Sequence, residues 1–238
     1  MKKQNPPIYR YSFYISLLLF SATSSGWSDD FTKEELEAWF QDDARSLPFS
    51  TSDVNEGELE FLASPPDKPT LHSANRLTIS NSSLDDGWVG MVQCYENLDA
   101  VNDAQVVYQY KQLRNLKVEK TENIEKTWIE GQSVQLLNTQ KGATLCISAQ
   151  VRIFYKNANN TYTLKNGPFQ RRFLDGFYPM HVTLSITYPP ERLTFVTSMP
   201  AQQPGFEVDS KPGALEIDAW FEGRLLTEME FKTRPTQP

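Results

Sequence analysis

Residues 145–155 read Leu145-Cys146-Ile147-Ser148-Ala149-Gln150-Val151-Arg152-Ile153-Phe154-Tyr155. Leu145, Ile147, Ala149, Val151, Ile153 and Tyr155 recur with period two, the spacing of side chains on one face of a β-strand. The same signal surrounds this stretch. Upstream, Leu77 and Ile79 alternate with polar neighbours, and Trp88–Tyr95 forms an apolar run behind the turn Asp85-Asp86-Gly87. Val106, Tyr108 and Tyr110 alternate next, and Val134 and Leu136 follow Gly131. Residues 103–120 also fit a helical face through Val106, Val107, Tyr110, Leu113 and Leu116. Their β-branched and aromatic content favours strands.

Downstream, the turn at Asn157–Asn160 leads into Tyr162 and Leu164. Val182, Leu184, Ile186 and Tyr188 then alternate with His181, Thr183, Ser185 and Thr187 until Pro189-Pro190 stops them. Leu215, Ile217, Ala219 and Phe221 run through Glu222-Gly223 into Leu225, Thr227, Met229 and Phe231, the pattern of a β-hairpin. Strands at this spacing with Pro and Gly punctuation predict a mainly β protein of antiparallel β-sandwich architecture, as one domain or two. The expected modules are 71–166, with both cysteines, and 167–238.

Cys94 and Cys146 are the two cysteines of the 238-residue chain. An even count in an exported chain favours one disulfide, worth about 2–4 kcal/mol through restriction of the unfolded chain. The spacing, with Trp128 between, invites comparison with two immunoglobulin-like modules. Parity opposes the comparison. Cys146 shares a face with Ser148, Gln150 and Arg152, whereas an antibody-type bridge lies in the core between sheets. The bridge is therefore expected to pin a second face, or a covering segment, to the sheet.

Export is read from the front of the chain. Lys2, Lys3 and Arg10 precede an apolar run from Tyr11 to Phe20 and the small residues Ser21, Ala22, Ser24, Ser25 and Gly26, the order of a secretory signal peptide over 1–26 cleaved near Ser24 or Gly26. The run is shorter than the roughly 20 apolar residues of a membrane span. A periplasmic or secreted mature chain without a membrane span follows. Met1–Gly26 holds three basic and no acidic residues, so 23 Lys+Arg against 30 Asp+Glu becomes 20 against 30, a net charge of −10. Phosphate backbones repel such a protein, and no nucleic-acid partner is expected. The basic stretch Lys111, Arg114, Lys117, Lys120 and Lys126 is interrupted by Glu119, Glu122 and Glu125, as on a solvated face.

Residues 27–70 are expected to hold an N-terminal helix and a Pro-rich connector. Thr32 and Glu35 form a capping box for Phe31–Gln41, whose apolar face is Leu36, Trp39 and Phe40. Pro48, Pro65, Pro66 and Pro69 exclude regular helix after it.

Chemistry is sparse. His72 and His181 are the two histidines, and no nucleophile-elbow, zinc-protease, P-loop, dinucleotide or EF-hand pattern appears. No cofactor and no metal site is expected. Asp29-Asp30, Asp42-Asp43 and Asp85-Asp86 are sequence neighbours, not carboxyls opposed across a cleft. The segment Gly167–Met180 stands apart, packing Phe169, Arg171, Arg172, Phe173, Asp175 and Tyr178 around glycines and prolines. Asp175-Gly176 signals a tight turn. Extended geometry puts Arg171 between Phe169 and Phe173, an arrangement suited to anions or sugars because guanidinium both forks and stacks. The structural alternative pairs Arg171 or Arg172 with Asp175.

Three functions are compatible with these residues. The first is an exported, non-enzymatic envelope protein binding another protein or an envelope glycan. The second is a periplasmic hydrolase with a site assembled around His72 or His181. The third is a periplasmic assembly factor, similar to pilus chaperones at the level of fold alone and without their sequence signature.

Overall fold

The computed structural model describes residues 55–234. The expected signal peptide, the helix at 31–41 and the start of the connector lie outside them. In chain order the elements are β1 (Glu60–Phe61), β2 (Leu71–Thr78), α1 (Ser83–Asp86), β3 (Trp88–Leu98), β4 (Val101–Val107), β5 (Leu113–Glu130), β6 (Ser133–Arg152), β7 (Phe154–Lys156) and β8 (Thr161–Phe169). They continue with β9 (Arg171–Phe173), β10 (Gly176–Tyr178), β11 (Met180–Thr187), β12 (Leu193–Met199), β13 (Phe206–Lys211), β14 (Ala214–Glu222) and β15 (Leu225–Thr233). The protein is mainly β, and the ambiguous residues 103–120 contribute to β4 and β5.

β6 is the spine of a nine-stranded sheet. β5 runs along one side of it, while β4 pairs its first half and β3 its second. The sheet continues from β3 through β2 and β11 to β14, whose far side carries β1 and β13. A four-stranded sheet, β12-β15-β8-β7, supplies the second layer. Leu145, Ile147 and Val151 of β6, Leu184 of β11, Phe221 of β14, and Leu164, Met229 and Phe231 of the smaller sheet are fully buried in one cluster. Each such side chain stabilises the fold by about 1.5–3 kcal/mol relative to exposure. Tyr188, just past β11, meets Phe231 of β15 edge-on at 5.1 Å.

The structure departs from the sequence expectations at several points. β2 and β11 are parallel, with His181 opposite His72, so the large sheet is mixed rather than antiparallel. This order, and a cysteine bridge within one sheet, differ from the two antiparallel sheets of an immunoglobulin sandwich. The boundary expected at 166/167 falls inside β8, and strands from both sides of it share both sheets.

The alternation of 145–155 does not continue to its end. Ile153 and Phe154 are both buried, and Tyr155 faces out. Two successive inward residues mark the corner where the chain leaves β6 for the other sheet. The N–H groups of Ile153 and Phe154 both donate to the Gly87 carbonyl, at 3.2 Å each. Gly87 caps α1 with φ of 76°, and a Cβ there would lie 2.7 Å from the Phe154 carbonyl oxygen. A side chain at this position is therefore opposed by both conformation and space.

The expected hairpin of β14 and β15 is not one. β14 pairs β11 and β13, β15 pairs β8 and β12, and Gly223 carries the chain from one sheet to the other. A Cβ on Gly223 would stand 1.9 Å from the Glu58 carbonyl oxygen. A three-residue hairpin and an arch between facing sheets leave the same side chains inward, so alternation alone does not separate them.

Cys94 and Cys146 are directly opposed on neighbouring strands, with Cα atoms 4.0 Å apart, and form a disulfide. They lie on the outer face, as parity required. The bridge ties β3 to β6 within the sheet. It does not reach a second face or a covering segment.

Candidate functional site

β9 and β10 form a small hairpin separate from both large sheets, with Arg171 opposite Tyr178, Arg172 opposite Phe177 and Phe173 opposite Gly176. Leu174 and Asp175 make the turn, one residue earlier than Asp175-Gly176 signalled. This pairing sorts the side chains. Arg171, Phe173 and Tyr178 share one face, and Arg172 and Phe177 the other.

Arg171 is held from three sides. Its Nη2 and Nε donate to the two carboxylate oxygens of Asp99 at 2.6 and 3.0 Å, and Nη1 donates to the Pro179 carbonyl at 3.3 Å. Its guanidinium carbon lies 5.5 Å from the Phe173 ring centre and 5.6 Å from that of Tyr178. The two rings meet edge to face at 5.3 Å. The arginine side chain is 18% exposed and the aspartate 33%, so this bidentate pair is better shielded than a surface salt bridge.

Two expectations are corrected here. Phe169 is a core residue at the end of β8, and Tyr178 replaces it as the second ring beside Arg171. The carboxylate that holds Arg171 is Asp99, not Asp175. Asp175 instead accepts the Tyr178 hydroxyl at 2.7 Å, and that bond raises the phenol's pKa. Asp99 sits 72 residues away in the turn after β3, and no local signal marked it.

Arg172 is exposed over Phe177, 5.5 Å from its ring centre, and makes no ion pair among the described residues. Leu174 at the tip is fully exposed. Phe177 in turn is anchored: its N–H donates to the Asn55 carbonyl at 3.0 Å.

Next to the hairpin a cavity of about 680 Å³ opens among β3, β4, β6 and the segment 167–174. Gln93, Tyr95, Leu98, Tyr108 and Thr139 line it, with Arg171 and Asp99 at its edge. Burial pushes the phenols of Tyr95, Tyr108 and Tyr110 well above the usual range, so all three stay neutral. The cavity combines residues from 71 to 180, and alternation gave no hint of it.

The histidines meet on the opposite, outer face of the large sheet. His72 stacks on His181 at 4.3 Å and His181 on Trp220 at 4.0 Å. His181 Nε2 is 3.1 Å from an Asp218 carboxylate oxygen, yet burial outweighs that contact and lowers its pKa. His72 Nε2 lies 2.9 Å from the Thr183 hydroxyl and Nδ1 3.4 Å from Glu96. Neither histidine lines the large cavity or the smaller hollow of about 380 Å³ at the Gly87 corner. Among the described residues no helix is long and apolar enough to cross a membrane, and no cluster of side chains has the makings of a metal site.

These elements define a mainly β protein with an open cleft, an accessory hairpin and one disulfide. No protein-family model matches the chain, and neither a curated protein nor a solved structure does.

Proposed function

We propose that this is an exported, non-enzymatic envelope protein that binds another protein or an envelope glycan through the β9–β10 hairpin. The observation that carries this reading is the contrast between the hairpin's two arginines. Arg171 is consumed in fixing the hairpin to Asp99, and Arg172 is left outward on an aromatic base beside an exposed leucine. A cation, a ring and an aliphatic tip held in one geometry lose little entropy on binding. Guanidinium and ring together recognise a carboxylate or stack on a sugar. The leader-like N-terminus and the disulfide support export.

The test is capture from the native envelope and from isolated envelope glycan, using wild type and the double variant Arg172→Ala, Leu174→Ser. Wild type is expected to retain a partner or glycan that the variant retains at least tenfold less, at equal thermal stability. Equal retention by both proteins would remove the hairpin as the contact.

A hydrolase reading gains one observation, the Thr183–His72–Glu96 chain of contacts, which has the order of nucleophile, base and orienting acid. Against it, that chain lies on a sheet face whose backbone donors are committed to strand pairing. Fluorophosphonate labelling that disappears in Thr183→Ala would establish it. The edge strand β5 disfavours a strand-donating chaperone: it is charged along its length and shifts register three times, both protections against strand addition.

A further inference from the structure

We infer that the hollow at the Gly87 corner is a binding site for a small, soluble phosphate monoester. Three cations line its volume of about 380 Å³: Lys111 just before β5, Arg152 at the end of β6 and Lys156 at the end of β7. All three are exposed, and none forms an ion pair among the described residues. The chain as a whole carries a formal net charge of −7. Three uncompensated cations on one concavity run against that sign and focus a local positive field.

Arg152 decides the reading, because its orientation is fixed while its charge is not cancelled. Its Nε donates to the Asp86 carbonyl at 2.9 Å, and Nη1 donates to the Gln112 side-chain oxygen at 3.3 Å. Both acceptors are neutral, and Nη2 has no acceptor among the described residues. The backbone is held as well: the Arg152 N–H donates to the Gln112 carbonyl at 3.0 Å, and the Arg152 carbonyl accepts the Tyr155 hydroxyl at 3.0 Å. Arg171, by contrast, is neutralised by Asp99. Capping the end of α1 explains the Nε bond of Arg152. It gives Lys111 and Lys156 nothing to do.

The chemistry of the ligand follows from these groups. A guanidinium and two ammonium groups on one hollow suit a compact group with more than one negative charge. A phosphate monoester carries about −1.5 to −2 at pH 7 and offers three acceptor oxygens. Guanidinium forks onto such oxygens, and lysine meets them as a point charge. The hollow exceeds a bare phosphate and lies at the small end of ligand sites. Tyr155, 40% exposed, gives a sugar-sized body a wall to lie against. Asp85 and Asp86 share the rim on the α1 side. Asp86 is turned to the Trp88 N–H, which it accepts at 3.0 Å, and neither acid pairs with a cation of the hollow. Three positive charges against two negative leave the lining at +1. That small surplus on an acidic protein favours a free ligand over an anionic membrane, which the rest of the charge would repel.

The experiment titrates glucose 6-phosphate into the purified full-length chain, followed by calorimetry and by NMR. Saturable binding at one site is expected, with shifts at the Gly87 amide and the Arg152 Nε–H. Glucuronate, the same ring with a carboxylate, should bind about fivefold more weakly or worse, because it brings less charge. Arg152→Gln should weaken glucose 6-phosphate about tenfold or more, the value of a charge-assisted hydrogen bond. Lys111→Gln and Lys156→Gln should each weaken it about threefold to fivefold, and Asp85→Asn should tighten it about twofold. Lys156→Gln should melt with wild type, so it carries the test even if Arg152→Gln fails to fold. Absence of saturable binding overturns the proposal. So does equal affinity for glucuronate, or wild-type affinity in both lysine variants. Binding to vesicles containing phosphatidic acid without binding to glucose 6-phosphate overturns it too, since the ligand would then be a membrane surface. The hairpin's function is judged separately. Arg172→Ala, Leu174→Ser should leave glucose 6-phosphate affinity unchanged, and failure of envelope capture refutes the hairpin contact alone.

Discussion

The β14–β15 arch and the β9–β10 hairpin are both short chain reversals, yet they are held by opposite means. The arch is flanked by Phe221, Leu225, Met229 and Phe231, all fully buried between the sheets. The hairpin contributes no fully buried side chain and depends on one ion pair, Arg171–Asp99, together with aromatic edges. Burial is non-directional and tolerates neighbours of the right size, whereas an ion pair specifies one geometry. A protein that must present a surface gains from the second arrangement, because the presented residues need not be inside.

Substitutions on the two sides should separate these modes, the largest effect first. Phe221→Ala leaves a cavity between the layers and is expected to lower global stability by about 3–5 kcal/mol in chemical denaturation. A loss under 1 kcal/mol would mean that the arch is not core. Replacing both Cys94 and Cys146 with serine should lower stability by about 2–4 kcal/mol, with the hairpin's hydrogen exchange unchanged. Asp99→Asn should do the reverse. It strips the half-buried Arg171 of its counter-charge, at a local cost of about 1–2 kcal/mol because water still reaches the pair. Faster exchange and proteolysis near Leu174 should appear without a matching shift in the global midpoint. A global loss equal to that of Phe221→Ala would erase the distinction between the two regions.

The smallest effect concerns pH. His181 has a folded-state pKa below its ordinary value, so the unfolded chain binds its proton first. Its contribution to stability is complete above about pH 6.5 and is lost as pH falls through the lowered folded value. Wild type should therefore weaken between pH 7 and pH 5 by more than His181→Phe, which keeps a ring against Trp220. Identical pH profiles would show that the stack carries no titration.

The alternation from Leu145 to Val151 was legible because each strand there has one buried face, and period two reports that directly. The same signal fails where the chain changes sheets. Ile153 and Phe154 both turn inward, and Phe221 and Leu225 keep inward parity across an arch as they would across a hairpin. Parity also placed Cys146 outside the core, while its partner's position, one strand away, depended on long-range pairing. Within the site, Phe173, Tyr178 and both arginines were visible as a local cluster. Asp99 and the Gln93–Tyr108–Thr139 wall were not. They meet only through strand order, and an isolated aspartate in a turn looks like any solvated turn residue.

The cross-strand disulfide has one more consequence. Joining residues already opposed on paired strands adds no new neighbour, so its structural effect is on sliding. A two-residue slip of β3 along β6 would preserve which face is inward and would pass unnoticed by the apolar pattern. It would also replace Gln93 at the cavity wall with Met91 or Tyr95. With Cys94 stapled to Cys146, that slip is forbidden, and the outer face of the sheet sets the index by which the inner face is read.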